Sequence, residues 1–126
     1  MITVRKEKKE LDKIVSKVAA LGVPGLVLTV AIGATGFAGG AAITTALAAL
    51  GPGGMIGGIV TLGIIGLLAE GITKYGMDAI FSSIVKELCR RGETKESIHK
   101  KIKKYPISKD LKESLLNYWN KYSKNY

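Results

Sequence analysis

A stretch of 52 consecutive residues, 18–69, contains no Asp, Glu, Lys, Arg or His. Ordinary soluble domains place charged residues along their whole length, because each helix or strand has surface positions. The stretch therefore argues against an ordinary soluble globule, and its hydrophobicity excludes intrinsic disorder. The 126-residue chain also has only one Cys and one His. A single Cys excludes a disulfide framework within the chain, and one Cys with one His excludes a conventional zinc site.

Charged residues are confined to the two ends of the chain, and both ends are basic. Residues 1–17 carry six basic and three acidic side chains, and residues 70–126 carry thirteen basic and seven acidic ones, which gives a formal net charge of +9. Basic segments beside membrane-spanning helices stay on the cytoplasmic side. We therefore expect both termini to face the cytoplasm.

The neutral stretch has the length of two membrane-crossing helices. About 20 apolar residues cross a bilayer core of roughly 30 Å. Gly51, Pro52 and Gly53 interrupt the stretch with a turn signal, because proline lacks an amide donor and glycine tolerates turn dihedrals. The pattern predicts a transmembrane hairpin with spans near Leu26–Leu50 and Met55–Thr73, joined at that turn.

Small residues dominate this stretch, in which 29 of 52 residues are Gly, Ala or Thr. In lipid, small side chains let helix backbones approach closely, and this favours helix association. The glycines recur at helical spacing, and two interpretations stay open: packing between several copies around a pore, or packing of each hairpin on itself. The predicted helix-packing residues are Gly33, Gly36, Gly40, Gly54, Gly58, Gly63 and Gly66.

The first charged residues after the neutral stretch are Glu70, Lys74 and Asp78. Their spacing of four places them on one face of a helix that we expect to continue from the second span to Arg91. In an oligomer these charges would form a ring at the mouth of a pore. The alternative is a salt bridge between Glu70 and Lys74 at the helix end.

The two flanks have amphipathic helical patterns. Residues 4–21 predict a helix that either lies on an anionic membrane surface or packs as a cap on the C-terminal helices. Gly92 is a helix terminator, and Thr94 and Ser108 are N-caps of two further helices. The predicted fold is all-α, with an N-terminal helix (1–22), a transmembrane hairpin (23–75) and a small basic cytosolic helical domain (76–126).

A basic patch lies in the first of the two short C-terminal helices, at Lys100, Lys101, Lys103 and Lys104. Such a patch suits the anionic inner leaflet, where each cation contributes about 1 kcal/mol. Nucleic acid is the alternative ligand, but the neutral stretch on the same chain favours the membrane. A phosphate-binding loop and a nucleophile elbow are both missing from the sequence. We expect His99 to be a solvated surface residue, and the chain to be neither an enzyme nor a binder of cofactors.

The segment 39–55, GGAAITTALAALGPGGM, resembles three kinds of protein. It is similar to a Gly/Ala-rich hydrophobic module of bacterial proteins, to the small interferon-inducible hydrophobic proteins of animals, and in texture to the hydrophobic hairpin of pore-forming colicins. The lysine-rich segment 93–126 departs from the animal proteins, so their partners are not carried over. The resemblance implies a bacterial inner-membrane protein that permeabilises the membrane during defence against phage.

Two functions from different classes follow. The first is a homo-oligomer that assembles in the lipid bilayer through its glycines and permeabilises it. The second is an interaction module, in which the hairpin is an anchor or is buried against a partner protein, and the C-terminal helices dock that partner.

Overall fold

The computed structural model describes residues 2–35, 58–107 and 109–125, and these residues are all helical apart from short connections. The predicted hairpin turn, Gly51, Pro52 and Gly53, lies outside the described residues, as do Gly36, Gly40, Gly54 and Ser108. The described helices are α1 (Ile2–Ala19), α2 (Val23–Thr35), α3 (Gly58–Tyr75), α4 (Met77–Arg90), α5 (Lys95–Lys104) and α6 (Lys109–Asn125).

Helix α1 is amphipathic, as predicted, and it packs on α3 and α4. Its buried residues Ile14, Val15 and Val18 recur at helical spacing. The helix ends before Gly22, whose φ of 76° is a left-handed conformation that glycine adopts without strain. This packing agrees with the cap alternative for residues 4–21.

Helix α2 is the central helix of the bundle. It is apolar around its whole circumference, and it contacts α1, α3, α4, α5 and α6. A helix without a polar face requires apolar surroundings on every side. Its buried residues are Val23, Leu26, Val27, Leu28, Thr29, Val30, Ala31 and Ile32, all between 0% and 3% exposed. Helix α2 begins at Val23, three residues before the start predicted for the first span, and Pro24 fits its first turn, where the missing N–H is harmless.

The prediction of one continuous helix from the second span to Arg91 is wrong. Gly76, with φ 89° and ψ 155°, separates α3 from α4. This backbone conformation is essentially restricted to glycine, so the chain bends there although the residues on both sides are helical. Apolar periodicity does not reveal such a bend, because the pattern continues on both sides of it.

Helices α4, α5 and α6 bury a common core, as predicted, but they share it with α2. Phe81 lies next to Tyr118 and Tyr122, with ring centroids 5.8 and 6.5 Å apart. The sequence suggested a separate cytosolic core, and the contribution of α2 was not expected. The buried residues of the three helices are Ile80, Phe81, Ile84, Val85, Leu88, Ile98, Ile102, Leu111, Leu115, Trp119 and Tyr122.

The end of α4 is tied to α1 by charged groups. The Glu87 carboxylate accepts hydrogen bonds from Arg90 and Arg91, at 2.6 and 3.1 Å, and these bonds lower the pKa of Glu87 to about 2. The Arg91 guanidinium also donates to the carbonyl oxygen and the hydroxyl of Ser16, at 3.2 and 3.1 Å. Arg91 therefore joins α4 to the last turns of α1.

The described part of the chain has no single helix that is both long and apolar enough to cross a membrane. The segments Lys8–Ala19 and Val23–Gly33 meet that requirement only when taken together, and the chain bends by 117° between them. The predicted transmembrane hairpin is thus not shown by the residues described.

Thr94 is the N-cap of α5, as predicted. Its hydroxyl oxygen accepts a hydrogen bond from the Ser97 amide at 3.0 Å, and the Ser97 hydroxyl accepts one from the Thr94 amide at 2.8 Å. This reciprocal capping box satisfies two amides that would otherwise lack partners at the start of the helix.

We expect Thr94→Ala to lower the free energy of unfolding by about 1 kcal/mol, because a cap hydrogen bond is lost. Urea denaturation followed by circular dichroism measures this change. Ser123→Ala is the control, since the Ser123 hydroxyl bonds only within its own helix, to the Asn120 carbonyl. An equal loss in both variants would contradict the role of the cap.

Candidate functional site

The predicted functional residues that the structure describes lie on three surfaces: the packing surfaces of α2 and α3, the junction at Gly76, and the outer face of α5. The glycines on α2 and α3 fall into two groups that differ in their surroundings. Glycines inside the bundle allow close contact between helices of the same chain, whereas Gly63 and Gly66 are exposed.

Gly25 and Gly71 allow close approach within the bundle. A Cβ added to Gly25 would overlap the Val18 carbonyl oxygen, which belongs to the backbone of α1. A Cβ on Gly71 would lie 3.2 Å from the terminal methyl carbons of Ile14 and Ile80, which is a tight contact. Neither residue was predicted as a packing position, because each depends on a neighbouring helix that the spacing of glycines does not reveal.

Gly33 belongs to the same interior group. It is half-buried at the end of α2, and an added Cβ would overlap the Met77 sulfur atom. Because the Met77 side chain is flexible, it can move to accommodate a larger residue. Gly33 is one of the seven predicted helix-packing glycines, and it packs against Met77 of the same chain.

Gly63 and Gly66 form an open surface on α3, here called the glycine face. A Cβ at either position would meet no atom within 4 Å. In water a glycine within a helix lowers the stability of the helix by about 1 kcal/mol relative to alanine. No contact in the described structure offsets this loss at Gly63 or Gly66. Gly58 is the first residue of the same helix.

An apolar cleft of about 430 Å³ adjoins the glycine face, between α3 and the end of α1. Its lining is mainly aliphatic, with one lysine. The lining residues are Lys17, Ala20, Leu21, Gly63, Ile64 and Leu67. The glycine face and this cleft together give α3 an apolar surface that the rest of the described chain leaves uncovered.

The prediction that Glu70, Lys74 and Asp78 share one helix face is wrong, because the bend at Gly76 places Asp78 on the next helix. The Lys74 ammonium pairs with Glu10 of α1, with 2.6 Å between Nζ and Oε2, and not with Glu70. Asp78 pairs with Lys121 of α6 at 2.8 Å and raises the pKa of that lysine. These two ion pairs join elements far apart in sequence, so helical spacing could not predict them.

The four predicted basic residues Lys100, Lys101, Lys103 and Lys104 are all exposed on α5. Lys101 is bound to Glu93, at 2.9 and 2.8 Å from its two carboxylate oxygens, and this contact lowers the pKa of Glu93. Lys112 of α6 donates to the Lys103 carbonyl oxygen at 2.9 Å, where the end of α5 leaves carbonyl groups without helical partners. The outward charge of the patch therefore comes mainly from Lys100, Lys103 and Lys104.

The prediction that His99 is solvated is wrong. His99 is half-buried, and its ring stacks on Trp119 of α6, with centroids 6.0 Å apart and planes at 27°. The aromatic residues at the end of the chain create this packing, which the polar sequence around His99 did not suggest. The residues that the structure describes include no group of three His, Cys, Asp or Glu side chains able to hold a metal ion.

The chain matches no protein-family model, no curated protein and no solved structure.

We expect glycine substitutions to have opposite effects at the two kinds of position. Gly25→Ala should destabilise the fold by about 1–3 kcal/mol, because the new methyl group is forced against the Val18 backbone. Gly66→Ala should stabilise it by up to about 1 kcal/mol, since alanine favours the helix and the space is open. Thermal unfolding of both variants beside the parent chain measures these changes. Equal destabilisation by the two substitutions would contradict the division into interior and open glycines.

Proposed function

We propose that this chain is a membrane-acting protein of the bacterial inner membrane. In this proposal both termini face the cytoplasm, and the chain assembles into homo-oligomers through its glycine-rich helices and permeabilises the membrane as a defence effector against phage. The supporting observation is the position of α2: a helix without a charged residue, packed against the other five described helices.

Helix α2 is suited to lipid as well as to a protein core. Among the residues of α2 whose side chains the structure describes, the one buried polar side chain is Thr29, which donates a hydrogen bond to the Gly25 carbonyl oxygen of the same helix at 2.7 Å. This hydrogen bond would accompany the helix into a bilayer, where an unsatisfied polar group costs several kcal/mol. Transfer of α2 from the bundle to lipid exchanges one apolar environment for another.

The glycine face supports self-assembly as the second step. Lipid provides no hydrophobic driving force between helices, so association depends on close packing of small residues. Gly63 and Gly66 offer such a surface, and no described residue of the chain packs against it. A helix of a second copy could approach the α3 backbone there.

The exposed lysines of α5 support attraction to an anionic membrane surface. Lys100, Lys103 and Lys104 place three positive charges at the outside of the bundle, and electrostatic attraction to anionic lipids acts within about 10 Å of the membrane surface. The aromatic residues that could stack on nucleic-acid bases, such as Trp119 and Tyr122, are instead buried in the core. This difference favours lipid over nucleic acid as the partner of the patch.

The second candidate is an interaction module without pore activity, and the apolar cleft beside α3 favours it. A helix of a partner protein could occupy this cleft while α2 stays inside the bundle. Membrane fractionation with alkaline extraction separates the two candidates. An embedded protein stays with the membrane, whereas a module that keeps α2 inside the bundle is released, and a module anchored in the membrane is distinguished from a pore by the lack of dye release.

The permeabilisation proposal predicts release of a trapped dye from vesicles that contain phosphatidylglycerol. Gly63→Leu with Gly66→Leu should raise the protein concentration needed for half-maximal release about tenfold or more, because bulky side chains separate the packed helices. Asn117→Leu with Asn120→Leu is the control, since it also places two leucines at exposed positions, in this case on α6. The absence of release by the parent chain at any concentration would refute pore formation.

The basic patch gives a separate prediction for vesicle binding. Lys103→Glu with Lys104→Glu should weaken binding to anionic vesicles by about 30-fold or more, as each surface cation contributes about 1 kcal/mol. Lys8→Glu with Lys9→Glu makes the same change in net charge at exposed positions of α1. Co-sedimentation with vesicles measures both. An equal loss in the two variants would mean that overall charge, and not the patch, attracts the membrane.

A further inference from the structure

A single residue separates α3 from α4, and helical hydrogen bonding reaches it from both sides. The Gly76 amide donates to the Ile72 carbonyl at 2.9 Å, and the Ile80 amide donates to the Gly76 carbonyl at 3.2 Å. Rotation of the Gly76 dihedrals to helical values would therefore join α3 and α4 into one helix, 58–90. No other connection between the described helices is this short.

The bend requires glycine for its backbone conformation and not for space. At φ 89° and ψ 155°, Gly76 occupies a region essentially closed to other residues. A Cβ at this position would meet no atom within 4 Å. A larger residue at position 76 would therefore act only on the dihedral angles, and it would favour the straight form over the bent one.

Helix α4 is held firmly in the bundle, whereas the described residues hold α3 along one side only. Five residues of α4 lie in the core, and the Asp78–Lys121 ion pair ties its first turn to α6. In α3, Gly63, Gly66, Glu70, Thr73 and Lys74 are exposed. Straightening at Gly76 would accordingly move α3 and leave α4 in place.

We propose that Gly76 is a hinge, on which α3 swings away from α1 and extends α4 when an anionic lipid bilayer takes up the apolar side of α3. We call the Glu10–Lys74 ion pair the latch, because in the described structure this salt bridge connects α3 to α1 and must break before α3 can move away. This inference rests on the proposed function. Ile64, Ile65 and Leu68 of α3 are buried in the bundle, and once α3 leaves it they require the apolar environment that a membrane provides.

Pulsed electron paramagnetic resonance measures the movement directly. Spin labels at Gly66→Cys on α3 and Lys86→Cys on α4, in the full chain with Cys89→Ala, report one distance across the hinge. In a continuous helix these positions are about 30 Å apart, and any bend makes the distance shorter. We expect the short distance in solution and a population near 30 Å on phosphatidylglycerol vesicles.

Two glycine variants separate the hinge from general destabilisation. Gly76→Ala should raise the ratio of straight to bent protein on vesicles by about fivefold or more, because it strains only the bent form. Gly92→Ala is the matched control: Gly92 also has a positive φ, of 113°, and an added Cβ there meets no atom within 4 Å. It should leave the ratio unchanged.

The latch provides a test that does not depend on the folding of Gly76→Ala. Glu10→Gln removes the ion pair between α1 and α3, and should raise the straight fraction by up to about fivefold, as expected for an exposed pair. Asp78→Asn removes an exposed ion pair on the other side of the hinge, which holds α4, and should not raise it. Circular dichroism checks that each variant is folded.

The outcomes distinguish the hinge from the proposed function. Dye release is measured on the unlabelled parent chain, because the label at position 66 lies on the glycine face. Release by the parent chain while the labels keep their solution distance would overturn the hinge and leave permeabilisation standing. A population near 30 Å without release by the parent chain would support the hinge and overturn permeabilisation. Equal responses to Gly76→Ala and Gly92→Ala would also overturn the hinge.

Discussion

The burial of α2 is the constraint on which the rest of the described structure depends. This helix has no polar face, so it is stable only where apolar groups surround it. Burying a large aliphatic side chain stabilises a protein by about 1.5–3 kcal/mol, and α2 contributes several that are fully buried, among them Leu26, Leu28 and Val30. Exposed ion pairs such as Glu10–Lys74 contribute at most about 1 kcal/mol each. Packing around α2 therefore holds the bundle together, and the ion pairs adjust how its helices meet.

The same constraint explains how the glycines are used. Neighbours can approach α2 and α3 closely only where a side chain is missing, and Gly25 and Gly71 provide such places against α1 and α4. Gly63 and Gly66 give no such benefit within the described residues. A glycine face without a contact of its own is costly in water, and a bilayer with a second copy is an environment in which that cost is offset. The interior glycines thus belong to the fold, and the exposed ones to the proposed function.

The bend at Gly76 connects these two roles. It allows α3 to fold back on α1 while α4 packs on α1, α2 and α6, and both helices keep their hydrogen bonds up to the bend. The two parts of the chain are therefore joined by a residue whose conformation can change without loss of helical structure. The ion pairs on either side, to Glu10 and to Lys121, join α3 and α4 to different helices.

The sequence by itself determined the elements whose signals are local. The amphipathic pattern of α1, the Thr94 cap of α5, the terminator Gly92 and the buried faces of α4 to α6 were all predictable, because each depends on residues within a few positions of one another. The exposure of the α5 lysines was predictable for the same reason. The charge-free stretch also showed that α2 requires apolar surroundings, although it did not show whether protein or lipid supplies them.

Only the tertiary structure decided which surfaces meet. Lys74 pairs with Glu10 and not with Glu70, and His99 stacks on Trp119, because helices distant in sequence lie side by side. The break at Gly76 was equally hidden, since a single glycine in an apolar helical pattern is compatible with a straight helix or with a bend. Spacing along one helix fixes the face on which a residue lies, but the partner of that face depends on how the whole chain encloses α2.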